Sequence, residues 1–397
     1  MQLLFIADGR SATARNWINA FLTPENHVHL ISTAPCKAVI GLASLQVLPV
    51  AFSGFGTADP IANSTNVGPF NKLRQLAPLP VRTFIRQWLG PLTLAPTARQ
   101  MSKMIEEIKP DMVHAMRYPF EGILAAQAKP SAPLVVSVWG NDFTLHARSN
   151  PFIGHATRHA LRRTSALHAD CQRDLHLARA LGFPVEKPAV VLPGSGGVRS
   201  SIFFPPADPR PAHPPVIINP RGFRAYIRNH AFFKSIPLVL QKYPQAKFIC
   251  PAMDHEPQAH TWVEKYAIQH SVELLPLVPQ GRIADLFRQA HIVVSPSTHD
   301  GTPNTLLEAM ACGCFPVAGN IESVREWLVD RENSLLVDPG DPAALAEAII
   351  GAIKDTELRE KAVAANLKMV AQRADFQKNM AEARKFYLQV LEQCRTN

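Results

Sequence analysis

Residues 293–319, VVSPSTHDGTPNTLLEAMACGCFPVAG, carry the pattern that decides the fold. An apolar run gives way to a polar, glycine-containing loop, then to helical spacing, a turn and a second apolar run. Strand, loop, helix, turn, strand is the repeating unit of a parallel sheet covered by helices. Thr302 is placed as the helix N-cap and Pro303 as the first helical residue, where a fixed φ helps and a missing N–H costs nothing. Gly313 is placed to end the helix in the left-handed conformation. Asp300 and Glu308 bracket the loop and helix start with seven residues between them. A helix start offers N–H groups and a positive dipole end, which suit an anion such as a diphosphate. Carboxylates beside it suit hydroxyls that donate hydrogen bonds to them. Anion plus polyol describes a nucleotide-sugar.

Outward from this stretch the alternation continues in both directions. LLFIA, a helix from about Thr13 to Leu22, VHLIST and LQVLPVAF give a βαββ opening. DMVHAM, LVVSVWG, ALHAD and AVVLPG complete a first parallel sheet. FFPPADPRPAHPP at 203–215 interrupts the pattern, and such a proline run makes a stiff linker. VIINP, KFICPA, VELLPL, IVVSPS, CFPVAG and SLLVDP then form a second series. From about Ala374 to Cys394 the spacing is helical, without Gly or Pro. The chain therefore reads as α/β: one doubly wound domain over 1–203, a second over 204–373, and a terminal helix over 374–397.

Composition bounds the alternatives. The 397 residues suit two domains, and 47% hydrophobic with 18% charged residues describes a globular protein. No apolar run approaches the roughly 20 residues of a membrane helix. MQLLFIADGR reads as a first buried strand rather than a signal peptide, and the six scattered cysteines suit thiols in a reducing cytosol. Cys312-x-Cys314 lacks metal-site spacing. The net charge of +9 lies in the first half: residues 1–200 hold 20 Lys/Arg and 11 Asp/Glu, residues 201–397 hold 21 of each. Lys72, Arg74, Arg82 and Arg86, interleaved with Phe70, Leu73, Phe84, Trp88 and Leu89, form one basic cluster; Arg158, Arg162 and Arg163 form another. Such a face suits an anionic membrane surface or an anionic acceptor, or is simply solvated. No nucleic-acid motif accompanies it.

Segment 293–319 resembles the donor-site signature of the retaining glycosyltransferases of family 4: a Glu, seven residues, a second Glu, then Ala-Met-Ala-x-Gly and a strand. Asp300 stands at the first Glu, and Glu308-Ala309-Met310-Ala311-Cys312-Gly313 matches the second half. The resemblance is strong from about residue 216 to 350 and weaker before it. It implies the GT-B fold, two Rossmann-like doubly wound domains facing a central cleft, with the terminal helix crossing back to the first domain. It also implies sugar transfer from a nucleotide-diphosphate-sugar to a hydroxyl acceptor, saccharide or lipid-linked, with retention of configuration and no metal or other cofactor. The expected setting is cytoplasmic synthesis of cell-surface polysaccharide or glycoconjugate, with peripheral contact at the inner membrane face as one reading of the basic surface.

The resemblance assigns residues in turn. Asp300 would hold sugar hydroxyls and Glu308 the ribose, while Thr302, Pro303, Asn304, Thr305 and Leu306 would line the sugar and phosphates. In INPRGFRAYIRNHAFF, Arg221 matches an Arg that contacts the diphosphate; Arg228 takes the place of the family's Lys, with Arg224 a second candidate. Fixed cations there stabilise the charge gained by a departing diphosphate. The first loop keeps Gly9 but not a second glycine, leaving Arg10, Ser11 and Thr13 as donors. The family's His-x-His becomes His114-Ala115-Met116, so His114 or Arg117 is left to serve near the reacting sugar or acceptor. Asp142 and His146, in a loop like the family's Gly-x-Asp, are candidate acceptor contacts. Two other classes stay open: a catalytically silent nucleotide-sugar binder, motivated by the missing histidine and by Asp at 300, and a nucleotide-sugar 2-epimerase of the same architecture.

Overall fold

A computed structural model describes residues 1–37, 39–50, 94–118 and 120–396. The basic cluster from Lys72 to Arg86 lies outside the described residues. The chain forms two compact units, Met1–Ser195 with Glu382–Asn397, and Gly196–Ala381.

Among the described residues the first unit is built on seven strands: β1 (Gln2–Ala7), β2 (His27–Ser32), β3 (Ser44–Val47), β4 (Met112–Met116), β5 (Leu134–Val138), β6 (Ala166–Ala169) and β7 (Ala189–Val191). Their order is β3-β2-β1-β4-β5-β6-β7, with every pair parallel. The order reverses between β1 and β4, so the carboxyl ends of those strands flank a crevice where such sheets bind ligands. Strands such as LLFIA and LVVSV are buried throughout, and apolar but for Ser137, because helices cover both faces. The helices are α1 (Ala12–Asn19), α2 (Leu94–Ile108), α3 (Glu121–Ala128), α4 (Pro151–Arg163) and α5 (Gln172–Ala180). Ser11 caps α1 by accepting the Ala14 N–H, and Asn150 caps α4 with Pro151 following it.

The second unit repeats the plan with β8 (Val216–Ile218), β9 (Lys247–Cys250), β10 (Val272–Leu274), β11 (Ile292–Ser295), β12 (Phe315–Gly319) and β13 (Leu335–Val337). The order is β10-β9-β8-β11-β12-β13, again parallel, reversing between β8 and β11. On one face α6 (Asn229–Lys242) and α11 (Pro342–Lys354) bury Phe232, Phe233, Ile236 and Ile349. On the other, α8 (Gln280–Gln289) and α9 (Asn304–Ala311) bury Phe287, Leu306 and Leu307. The remaining helices are α7 (Pro257–Lys265), α10 (Glu322–Arg325), α12 (Thr356–Arg373) and α13 (Phe376–Thr396).

The division falls ahead of the proline-rich segment. Val198 donates its N–H to Ala374 at 2.7 Å and accepts the Phe376 N–H at 3.0 Å, so the chain has joined the second unit before the prolines begin. Gly197 makes this approach feasible: its φ is +106°, and a Cβ there would lie 2.2 Å from the Ala374 carbonyl oxygen.

Helix α13 starts in the second unit, and its residues from Glu382 onward belong to the first. Tyr387 anchors that end, stacking on Phe21 with ring centroids 4.6 Å apart. Its hydroxyl accepts from Trp17 Nε1 at 3.0 Å and pairs with His114 Nδ1. His114 Nε2 meets Ser137 Oγ at 2.7 Å, Ser137 Oγ meets His168 Nδ1 at 2.8 Å, and His168 Nε2 meets the Leu192 carbonyl at 2.9 Å. One end fixes every proton. A carbonyl only accepts, so His168 Nε2 carries hydrogen and its Nδ1 accepts from Ser137. Ser137 then accepts from His114 Nε2–H, and His114 Nδ1 accepts the Tyr387 proton. This corrects the expectation for His114. It is 1% exposed, both ring nitrogens are engaged, and burial holds its pKa well below the ordinary value. His114 is a core histidine that latches the last helix.

Candidate active site

The reversal between β8 and β11 collects most of the expected donor-side residues. Asn219 follows β8, is fully buried, and accepts the Arg221 N–H at 3.2 Å. Its amide donates to Asn229 at 3.1 Å, and Asn229 donates to the Gly222 carbonyl at 2.8 Å. These two asparagines clasp the 219–229 loop. They were not singled out in the sequence, although Asn219-Pro220 after an apolar run marks a turn. The loop then runs beside the one following β11. Ile227 forms an antiparallel bridge with Ser297, Arg228 donates its N–H to Pro296 at 2.8 Å, and Thr298 donates to Tyr226 at 2.9 Å. Gly319, closing β12, leaves room for this arrangement, since a Cβ there would sit 2.2 Å from the Ser297 carbonyl oxygen.

Arg221 and Asp300, 79 residues apart in sequence, therefore meet: Arg221 Nη2 lies 2.6 Å from Asp300 Oδ2. Their side chains are only 10% and 15% exposed. Asp300 Oδ1 also accepts the Gly301 N–H at 3.2 Å, and its carbonyl accepts from Ser323 Oγ at 2.8 Å. Glu308, half-buried on α9, has its carboxyl pushed up to about 7 by burial, while a hydrogen bond from Gln280 and the Arg221 charge act in the opposite direction. Gln280, the first residue of α8, is a further contributor that the sequence reading did not single out. Arg221 Nε is buried with no partner among the described residues. One arginine thus serves two carboxylates at the mouth of the sheet.

Helix α9 begins at Asn304, with Pro303 in the N-cap position and no side-chain cap. The expectation of Thr302 as cap and Pro303 as first helical residue is corrected by one position: the Pro303 carbonyl, at ψ +72°, takes the N–H groups of Leu306 and Leu307. Leu306 is corrected too. It is 1% exposed in the core and its N–H is engaged, so it shapes the helix start without facing a ligand. Thr302 is buried, and Asn304 and Thr305 are half-buried at the helix start. Gly313 has φ +78°, the left-handed helix end read from the sequence. Arg224 and Arg228 stand exposed on the loop after β8, with Arg228 Nη1 on the Ala225 carbonyl at 3.0 Å.

In the first unit, the reversal between β1 and β4 gathers the other candidates. Gly9 is buried and donates to Ser32 Oγ at 3.0 Å; a Cβ there would lie 2.5 Å from Cys36 Sγ, so glycine is a packing requirement. Ser11 spends its hydroxyl on the α1 cap. Arg117 follows β4, and its Nη2 lies 2.8 Å from Asp142 Oδ1. Asp142 is fully buried, with Oδ2 accepting the N–H groups of Trp139 and Tyr118 at 3.0 and 3.1 Å. Burial pushes its carboxyl up to about 7 against the pull of Arg117. Asp142 is therefore corrected from acceptor contact to a buried clasp behind Arg117. His146 is half-buried at the end of the π-helical turn Asp142–His146.

Comparison with known proteins places this architecture. Residues 205–369 match the family model described as glycosyl transferases group 1, and residues 62–194 match the glycosyl transferase 4-like domain. A D-inositol 3-phosphate glycosyltransferase of Xylanimonas cellulosilytica is 32% identical over 106 residues, 27% of this chain and 25% of that protein. The O-antigen chain mannosyltransferase B of Escherichia coli is 32% identical over 110 residues, 28% of each chain. These alignments span about a quarter of the relatives' own length. Among solved structures, the sucrose-phosphate synthase of Thermosynechococcus elongatus superposes with TM-score 0.74 at 14% identity, covering 99% of this chain and 100% of that one. Anabaena HepE in complex with UDP-glucose superposes at 0.69 with 17% identity, covering 100% of both. At such identities the likeness is one of fold. Among the described residues no helix is long and apolar enough to cross a membrane.

Proposed function

Because the chain belongs to the group 1 glycosyltransferases, with a type 4-like first domain and the GT-B pair of Rossmann-like domains, we propose that it moves a sugar from a nucleotide-diphosphate-sugar to a hydroxyl acceptor with retention of configuration. The observation that carries the reading is the Arg221–Asp300 pair beside Glu308 at the β8/β11 reversal. The diphosphate lies at the start of α9, where the helix dipole and Arg221 favour negative charge, with Arg224 and Arg228 beside it on the loop. Glu308 accepts ribose hydroxyls. The leaving diphosphate gains charge as the glycosidic bond breaks, and cations fixed in place stabilise it without reorganising. A phosphate oxygen takes the acceptor proton on the same face, so the reaction calls for no metal or other cofactor. HepE, solved with UDP-glucose, supports uridine-diphosphate sugars as the first donors to try. The mannosyltransferase of the O-antigen chain supports a place in surface glycoconjugate assembly.

Ionisation of Glu308 sets a pH dependence. A protonated carboxyl accepts ribose hydroxyls less well, and with its pKa near 7 the competent fraction climbs across neutrality. Donor affinity is expected to rise up to about tenfold between pH 6 and pH 8. Calorimetric titration of the bound nucleotide checks this, and Glu308→Gln is expected to flatten the curve.

One observation favours a second reading, a silent binder: Asp300 spends one carboxylate oxygen on Arg221 and the other on the Gly301 N–H. Incubation with UDP-glucose, UDP-N-acetylglucosamine and GDP-mannose, followed by proton NMR, separates the cases. Slow release of nucleoside diphosphate, with the new anomeric centre keeping the donor's configuration, supports transfer. Binding without consumption supports the silent binder. Inverted configuration, or a sugar epimerised at C2, defeats the proposal.

A further inference from the structure

The first unit holds a second constellation, at its β1/β4 reversal, that the donor chemistry does not use. Arg117, the first residue after β4, has φ +106°. A residue with a side chain is rarely held there, and such strain persists where the surroundings over-determine it, often at binding sites. The surroundings here are built around the guanidinium. Nε donates to the Tyr118 carbonyl at 3.0 Å and to Asp142 Oδ1 at 3.2 Å, Nη2 donates to the same oxygen at 2.8 Å, and the Trp139 ring lies 5.7 Å away. Two acids of the cluster lie behind it, while Asp8, just after β1, is partly exposed and paired with Arg10 at 2.8 Å. Asp142 is 0% exposed, and Glu121, 5% exposed, accepts from Thr33 Oγ1 at 2.7 Å. Arg117 itself is 32% exposed. What this crevice presents to solvent is therefore the planar Arg117 cation, held rigidly from the rear, beside the Asp8–Arg10 pair. Helix α3 starts beside it, where the Arg117 carbonyl accepts the Gly122 N–H at 2.9 Å, and its dipole adds positive potential there.

We infer that Arg117 forms an oxyanion subsite for the acceptor, so that the acceptor carries a phosphate or carboxylate near the hydroxyl to be glycosylated. This rests on the transferase reading, whose donor side lies in the other unit. A planar guanidinium fits two oxygens of one such group, which a point charge does not. The charge-assisted bonds orient the acceptor, and an uncharged saccharide would leave the cradle unused.

The test is designed to fail separately from the transferase reading. Phosphate would also visit the donor-side arginine, so Arg221→Ala is the background. Its melting temperature is followed with inorganic phosphate, glucose 6-phosphate and glucose, and its flotation with phosphatidylglycerol or phosphatidylcholine vesicles. The expected result is a response to glucose 6-phosphate or to phosphatidylglycerol vesicles, and none to glucose or phosphatidylcholine. The arm that responds names the acceptor as soluble or lipid-borne. Adding Arg117→Met is expected to weaken the response about tenfold or more, and Arg117→Lys, which keeps charge and bulk, to weaken it less. Equal responses to glucose and glucose 6-phosphate, no response in either charged arm, or a response unchanged by both Arg117 substitutions overturns the inference. Donor turnover by the wild-type protein is scored independently.

Discussion

Arg221→Ala is expected to lower donor kcat/KM by about a hundredfold or more, the order found when one fixed donor to a developing anion is removed. The effect has two sources. The departing diphosphate loses a cation that was already in place. In addition, Asp300 is left mostly buried without its partner at 2.6 Å, and an uncompensated buried charge costs about 3–5 kcal/mol. Asp300 then protonates or shifts, so sugar contacts suffer as well. Arg221→Lys is expected to recover little, because an ammonium does not reproduce the planar fork that spans Asp300 and a phosphate. Steady-state kinetics with the best donor of the panel checks the size. Melting temperature of the same variants separates loss of chemistry from loss of fold.

The second large effect belongs to the last helix. Tyr387→Phe removes one oxygen and strands two groups: Trp17 Nε1 loses its acceptor, and His114 Nδ1 loses its donor. Each buried unsatisfied group costs about 1–3 kcal/mol, so about 2–6 kcal/mol of stability should vanish. Urea unfolding measures it. Adding Trp17→Phe is expected to cost less than the sum of the two single changes, since the stranded N–H is then gone. The chain also demands that both histidines be neutral. His168 has an ordinary value of 6.5 and a folded value of about 4, and burial drives the shift. The unfolded chain therefore takes up protons that the folded chain refuses between those values. The stability contributed by His168 is fully present above pH 6.5 and declines by roughly 3 kcal/mol as pH falls through the window, while the raised carboxyls of Asp142 and Glu308 act in the opposite direction. The change in unfolding free energy between pH 7.5 and pH 5, compared between the wild type and His168→Gln, isolates this contribution: the wild type is expected to lose more, or gain less, stability than the variant on acidification.

Among the described residues, each apolar run read from the sequence contains a strand, because central runs such as LLFIA and IVVS, bounded by Pro, Gly and polar clusters, are buried on both faces and leave little choice of partner. The left-handed Gly313 was legible for the same reason: only a local backbone need was involved. Details that depend on tertiary contact were not. Thr302 looked like a cap because a hydroxyl ahead of proline usually is one, but here the Pro303 carbonyl does the accepting. His114 and Asp142 looked like site residues because polar groups at strand ends often are; their partners, Tyr387 and the N–H groups of Tyr118 and Trp139, are invisible until the chain is folded. The Arg221–Asp300 pair spans 79 residues; resemblance suggested both members, and only the loop register after β8 and β11 joined them. Asn219 and Asn229 escaped notice because a buried asparagine clasp has no local signature.

The central claim is that the β8/β11 reversal of the second unit holds the nucleotide. A crystal structure with the nucleoside diphosphate of the preferred donor tests it most directly. The expected density places the diphosphate at the first turn of α9 within hydrogen-bonding reach of Arg221, and the ribose hydroxyls on Glu308. Density for the nucleotide anywhere else, with Arg221 still closed on Asp300 and Glu308 untouched, would contradict the account.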